Sequence, residues 1–452
     1  MATPKVNVSA KQTGLLNMEQ TPEAAETVSQ LLNQDLERHH VFYNDRGFHD
    51  HIVHHLLTLY GSGANASALA AAYQANQVVQ RRAGQADASL VAALHADWPA
   101  TSRAHFGQGE HYASFLRFFQ DAIAQRGAQA VAQDVLFAEL PNPPRRGMVA
   151  RLYSGLVHPL LQLLYGLEWE QPAIVAAALA QTAVHPSDVG DLMVGVDEYS
   201  RDKQADAASV EDLCHEVHRR GGPLAQAASF NDMGFEYIER MGRHGLVALL
   251  ARIRVDPSHD LDQDTARLVH SAAYLVAAAA WHPPHKPTFD FFLMQVAPSF
   301  HLLTSSLFFL SLPPLSPAAR ARLIEWHLRL QVFEYIAHGC PALRLDHVLR
   351  DWSAPAGMAA ATPRHLLPRL LLTADDGHVV KVARALVVAC DLSRKWQGCS
   401  WIRIAGHDAW VKLMQILLTS VDGRGDDWLR QGKQWVRGAG FEEAWEEMPI
   451  ME

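Results

Sequence analysis

The sequence predicts an all-α protein: a single large helical-bundle-like domain with a metal site among its central helices. Three observations lead there. Long segments carry apolar residues near i, i+3 and i+4 rather than in strict alternation. Pro- and Gly-rich breakers separate these segments, and neither a strand series nor an internal repeat interrupts them. Finally, several of the most apolar segments have a histidine near one end, which is how a helical bundle builds a metal site.

The elements follow in order. Residues 1–20 are expected to be extended or mobile, and residues 21–452 to form the helical catalytic domain. Thr21 and Pro22 mark the first helix, with Thr as N-cap and Pro at N1. Further helices are expected over 49–60, 67–83, 111–125, 145–164, 174–182, 246–255, 261–281, 317–334, 364–371, 378–392 and 409–419. The alanine-rich runs "AIVAAALAQTAV" and "YLVAAAAW" allow close helix–helix approach. The stretches "LPNPPRRG", "HPPHKP", "LPPLSP" and "VDGRGDD" are loops. Residues 291–312 are uncharged and long enough to span a bilayer, but they include Gln295, Pro298, Ser299, His301, Thr304, Ser305 and Ser306. A buried helix, or a pair of helices around Pro298, is the expectation.

Composition narrows the function. The net charge is 39 − 48 = −9, so nothing electrostatic favours nucleic acid. The chain is 49% hydrophobic and 19% charged, which is the balance of a core-rich globular protein rather than a disordered one. Four scattered cysteines form no metal or disulfide framework, and the first residues contain no apolar signal core. The expected setting is therefore reducing and cytoplasmic, with no membrane. GxGxxG, the P-loop, GxSxG and HExxH are all absent, which disfavours Rossmann-type cofactors.

The distinctive feature is 25 histidines, and four segments place them suggestively. In "FHDHIVHHLLTLYGSGA", His51 and His55 share a helical face. One of His54 and His55 is a candidate ligand, although a solvated first turn would explain them equally well. His158 sits among apolar residues just before Pro159, which pushes its neighbourhood out of helical geometry. It can face a cavity there, or bond a backbone carbonyl as a core histidine. His301 lies in the most apolar stretch and needs a partner if buried, either a metal or Ser305 and Thr304. In "DDGHVVKVARALVVAC", His378 and Lys381 are three residues apart and project from one helix face. Lys381 could be a snorkelling lysine whose stem packs while its ammonium reaches water.

Taken together, "HDHIVHHLLTLYGSGA", "GLVHPLLQLLYGLEW", "FDFFLMQVAPSFHLLTSSLFF" and "DDGHVVKVARAL" resemble the questin oxidase-like family of fungal and bacterial secondary metabolism. The likeness runs from residue 49 to 386. It implies oxidative cleavage of a ring C–C bond in an anthraquinone-type polyketide, a small aromatic substrate, by a non-haem Fe(II)-dependent dioxygenase with O2 as co-substrate. The family includes a dioxygenase whose iron is held by four histidines and a carboxylated lysine. Carried onto this chain, that arrangement falls on His55 (alternatively His54), His158, His301, His378 and Lys381. The lysine chemistry is plausible, because burial and nearby metal charge lower a lysine's pKa. The neutral amine then adds CO2 to give an anionic carbamate. Imidazole and anionic oxygen together suit iron. Asp375, Asp376 and Glu168 are candidate acceptors for ligand N–H groups. Phe48, Tyr60, Trp281 and Phe300 are candidate stacking partners for a polycyclic substrate.

Three alternatives stand beside this reading. One is a Baeyer–Villiger-like monooxygenase acting on the same substrate class. Another is a carboxylated-lysine metallohydrolase, suggested by the "HDH" pair. HxH works from a strand, however, where i and i+2 share a face, and here it opens a helix. The third is a non-catalytic helical scaffold.

Overall fold

A computed structural model describes residues 4–45, 47–138, 147–203, 206–230, 232, 236–294, 302–421 and 435–451. His301, Pro298 and Phe300 lie outside them. The described chain is all-α as expected: its elements are α-helices, short 3-10 turns and one π turn, and its only strand-like pairings are isolated bridges. No helix among the described residues is long and apolar enough to cross a membrane. Within 291–312, the described parts are the helix Phe291–Met294, the helix Leu302–Ser306 and the 3-10 turn Leu307–Leu310.

The chain forms two compact units. The first comprises residues 1–194, 310–319 and 376–381. Its opening segment is extended and tied down: Val6 and Val8 are buried, and the Val6, Asn7 and Val8 amides donate to Asn33, Gln171 and Ser29. Helix α1 (Pro22–Arg38) starts as the sequence indicates, with the Thr21 hydroxyl accepting from the Ala24 amide at 3.1 Å. It packs with α2 (Ile52–Gly61) and α3 (Ala66–Gln77). Helix α2 is buried along its whole length and also meets the helix His158–Glu168. The alanine-rich helix Pro172–Val184 packs closely against that helix, and small side chains permit the approach. A Cβ on Gly166 would come within 2.9 Å of the Val175 backbone nitrogen.

The second unit comprises residues 195–309, 320–375 and 382–452. A buried ion network organises part of it. Asp197 accepts from Arg329 at 2.6 Å and from the Trp326 indole at 3.0 Å, and it also pairs with Arg322. Arg329 is fully buried and bonds Glu325 as well, so its charge is matched by two carboxylates. Trp281, a stacking candidate from sequence, lies in this unit against the His347 ring. All four cysteines are free, and Cys214, Cys340 and Cys390 are buried.

Candidate metal centre

The segment feeding α2 shows how local sequence frees a histidine. His51 occupies the N-cap position of α2 but makes no capping bond. The preceding residue does that work: the Asp50 carboxylate accepts from the Ile52 amide at 2.8 Å. The His51 ring is thus available for other contacts. Its Nδ1 donates to Asp376 Oδ2 at 2.8 Å, and its Nε2 lies 3.0 Å from His158 Nε2.

His158 is positioned by an unusual backbone turn. Gly155, Leu156 and Val157 all have positive φ, of 54°, 62° and 54°. For the two non-glycine residues this costs on the order of 1–2 kcal/mol each. The helix expected over 145–164 is broken here into Met148–Leu152, the 3-10 turn Gly155–Val157 and His158–Glu168. The break thus precedes His158, which is itself helical and has Pro159 behind it in the first turn, where a proline is tolerated. The turn brings the Gly155 carbonyl to 2.9 Å from His158 Nδ1. A carbonyl can only accept, so Nδ1 carries the hydrogen.

His378 and Lys381 begin the helix His378–Ser393 and are both buried. Gly377, at φ +92°, makes this possible: a Cβ there would lie 2.6 Å from the side chain of His55. Only glycine permits this approach to α2 at that backbone angle. His378 Nδ1 also bonds Asp376, so one carboxylate serves two imidazoles. His51, Asp376 and His378 each offer a ligand atom, and the three atoms lie within 4.8 Å of one another.

Electrostatics keep the imidazoles neutral. Burial is the main cause, and the positive charge of Lys381 adds to it at His51, His54, His55 and His378. His55 and His378 are pushed down to about 3. Burial works to raise Asp376, but its bonds to and attraction by His378 and His51 prevail and hold it well below the usual carboxylate range. We take Asp376 as the ionised acceptor of two neutral N–H groups.

These tautomers test whether the residues fit a metal. His51 donates through Nδ1 to Asp376, and His158 donates through Nδ1 to Gly155. The Nε2 atoms of both neutral rings then each present a lone pair, and the two lie 3.0 Å apart. Two lone pairs so close repel unless a cation lies between or beside them. His54 is fully buried, and among the described residues neither of its ring nitrogens meets a partner at hydrogen-bonding geometry. The Gln162 amide is near but not at hydrogen-bonding geometry. The His54 ring lies 6.2 Å from those of His51 and His158, centroid to centroid. The donor set therefore fits a cation that prefers imidazole nitrogen.

The sequence candidates divide as follows. His158, His378, Lys381 and both His54 and His55 come together in the first unit. His55 Nδ1 faces the Asn76 amide at 3.4 Å, and its ring packs on Gly377. His51, which sequence reasoning did not select, stands at the centre of the cluster. Its signal was present as the i, i+3 spacing to His54, but the expected helical start at residue 49 placed it in a helix instead of at the cap. His301 lies outside the described residues. Asp376 takes the expected acceptor role, whereas Glu168 accepts from the Leu15 amide at 2.8 Å. Tyr60 is a core residue packed on Trp169.

The all-α architecture and a buried group of histidines and a carboxylate define a helical protein able to hold a metal ion. Comparison with known proteins identifies its kind: the chain belongs to the questin oxidase-like family, whose profile matches residues 48–386. A Baeyer-Villiger oxidase, ptaJ, from Pestalotiopsis fici is 31% identical over 459 residues, covering 99% of this chain and 98% of the relative. A questin oxidase from Aspergillus fumigatus is 31% identical over 443 residues, covering 95% and 94%. Another from Aspergillus terreus is 30% identical over 463 residues, covering 98% of each. As a member of this family the chain is an oxidoreductase.

Proposed function

We propose that this protein is a non-haem Fe(II)-dependent dioxygenase that cleaves a ring C–C bond in an anthraquinone-type polyketide. The observation that supports the reading is the convergence of His51, His54, His158, His378 and Lys381 in one buried cluster, with the Nε2 atoms of His51 and His158 3.0 Å apart. Among the described residues we assign His51, His54, His158 and His378 as imidazole ligands, with Lys381 beside them; His301, the ligand expected from the sequence, lies outside those residues. His54 is preferred to His55 because a His55 Nδ1 that accepts from Asn76 leaves the proton on Nε2.

Each residue has a task. Asp376 holds His51 and His378 in the tautomer that presents Nε2, and the Gly155 carbonyl does the same for His158. Lys381, as the neutral amine, attacks CO2; a C–N bond forms, one proton leaves, and a carbamate anion results. That anion replaces a buried positive charge with a negative one in the middle of four imidazoles. Iron, when bound, would supply activation of O2. The buried histidine faces exclude bulk water from that chemistry. Thr58 and Tyr165 share a hydrogen bond of 2.6 Å, and Tyr165 stacks on His54 at 5.3 Å, which fixes the orientation of that ring. An aromatic substrate accords with the printed names of the questin oxidase relatives.

Metal analysis of anaerobically purified protein tests the assignment. One iron per chain is expected at this site, lost in Lys381→Ala and in His158→Ala, with a 13C-carbamate NMR signal appearing only when Lys381 and 13CO2 are both present. A protein that binds no metal at His158, or a Lys381→Ala variant with undiminished iron, would overturn it.

The relatives named Baeyer-Villiger oxidases favour a second reading, insertion of a single oxygen atom. Labelling with 18O2 separates the two. Dioxygenation places both labelled atoms in product. Monooxygenation places one there and the other in water, and consumes two electrons from a reductant.

A further inference from the structure

His158 is held from a second side, by two histidines that the metal assignment does not use. The His49 ring is buried and lies flat on the His158 ring, with centroids 3.8 Å apart and planes 10° from parallel. His49 is fixed in turn. Its backbone pairs with Phe42 in an isolated antiparallel bridge, and the Phe42 ring meets its ring edge-on at 5.4 Å. Its Nε2 lies 2.8 Å from Nε2 of His185, which is also buried. His49 Nδ1 meets no partner among the described residues, so this ring can carry its hydrogen on Nε2 and donate it to His185. The pair therefore differs from His51 and His158, whose Nδ1 hydrogens go to Asp376 and Gly155. An ordinary hydrogen bond satisfies it.

His185 is the C-cap residue of the alanine-rich helix Pro172–Val184. Its carbonyl accepts from Arg151, whose guanidinium covers the Phe106 ring at 4.7 Å. Its own ring packs on Gly155, where a Cβ would lie 2.6 Å from both His185 ring nitrogens. Gly155 is the residue whose carbonyl takes the His158 Nδ1 hydrogen. His185 thus bears on His158 by two routes. One runs through the His49 ring to the face of the imidazole, and the other through Gly155 to its Nδ1. The two constraints are complementary. A single hydrogen bond at Nδ1 fixes the tautomer but lets the ring turn about the bond, and a second ring lying flat on its face stops that rotation.

We propose that His49 and His185 are positioning residues for His158, a role that rests on His158 being a ligand of the proposed iron centre. The hydrogen-bonded pair holds the plane of the His158 imidazole, and with it the direction of the Nε2 lone pair. Neither histidine binds the metal itself. The pair also ties the end of the helix Pro172–Val184 to the segment that leads into α2, so that both sides of His158 are set by the same contact.

Co2+ titration of the full chain, freed of metal by chelation, tests this through affinity and through the visible spectrum of the bound ion. The variants are His158→Ala, His185→Phe, His185→Gln and His158→Ala combined with His185→Phe. His185→Phe keeps a ring beside Phe42 and Gly155 but cannot bond His49, whereas the amide of His185→Gln reaches about as far as Nε2 and can. His185→Phe is expected to weaken Co2+ binding about 10-fold and to shift the visible bands, as loss of an orienting partner does. His185→Gln should recover most of both. In the His158→Ala background, His185→Phe should have no further effect, because a residue that acts through His158 has nothing left to act on. Urea unfolding of the metal-free variants reports stability separately. If His185→Phe does not fold, His49→Leu, which removes the stacked ring, carries the same expectation. Unchanged affinity and spectrum in a folded His185→Phe or His49→Leu, or an equal loss in the His158→Ala background, would overturn the positioning role and leave the pair as core packing. A His158→Ala variant that binds Co2+ as wild type does would instead refute His158 as a ligand, and the positioning role with it.

Discussion

Asp376 shows how one side chain can organise several others. Its two oxygens accept from His51 and His378, which come from distant parts of the sequence. Asp376→Asn keeps the shape, but an amide can accept at only one atom, so one of the two imidazoles loses its orienting partner. Metal affinity is expected to fall roughly 10- to 100-fold with the fold preserved. Equilibrium metal titration alongside circular dichroism checks this; undiminished affinity would mean that Asp376 does not orient the ligands. Lys381 is the complementary case. As an ammonium it depresses the basicity of four nearby histidines, whereas as a carbamate it would complete their site.

At the scale of elements, the site depends on how helices begin. Asp50 caps α2 in place of His51, the Gly155–Val157 turn delivers His158, and Gly377 lets His378 start its helix against α2. Gly377→Ala puts a methyl group 2.6 Å from the His55 side chain and forces alanine to φ +92°. Destabilisation of about 1–3 kcal/mol is expected, with weaker metal binding because His378 and Lys381 shift together. Urea unfolding measures the first effect and metal titration the second. Gly195→Ala is the control. Gly195 lies within the helix Asp188–Asp202 with nothing inside 4 Å of its would-be Cβ, so the change should be neutral or stabilising by up to about 1 kcal/mol. Equal losses in the two variants would show that Gly377 has no special place.

At the scale of the molecule, buried neutral histidines make the fold acid-sensitive. His55, His185, His327 and His378 are pushed down to about 3 and His270 to about 4, chiefly by burial. Unfolding exposes these rings to water, where they protonate near the ordinary value of about 6.5. Below that pH the unfolded chain binds more protons than the folded one. Their contribution is therefore complete above about 6.5 and is lost as pH falls toward 3. Asp35, raised to about 7, acts in the opposite sense between about 4 and 7, as does Asp50, but two carboxyls oppose five imidazoles. The urea midpoint of metal-free protein should fall steadily from pH 7.5 to pH 5. A flat profile over that interval would mean that the histidines are not held neutral.

Much of this protein was legible from its residues alone. Helical periodicity established the all-α class, because an amphipathic or wholly apolar helix announces itself locally. The Thr21–Pro22 start and the breakers at 282–287 and 312–317 were read for the same reason, whereas those at 140–147 and 421–427 lie almost wholly outside the described residues. His158, His378 and Lys381 stood out because a polar group inside an apolar run needs a partner wherever the chain folds. The ligand choice around α2 was less accessible. His51, His54 and His55 differ little in sequence context, and their roles turn on which residue caps the helix and on the glycine that lets another segment approach. The joining of His51, His158 and His378 through Asp376 and the Gly155 carbonyl could be decided only by tertiary structure. Those bonds link residues as much as 325 positions apart, and no periodicity encodes such a contact. Sequence by itself determined that histidines and a lysine lie in apolar helices; the packing of those helices determined which nitrogens face one another.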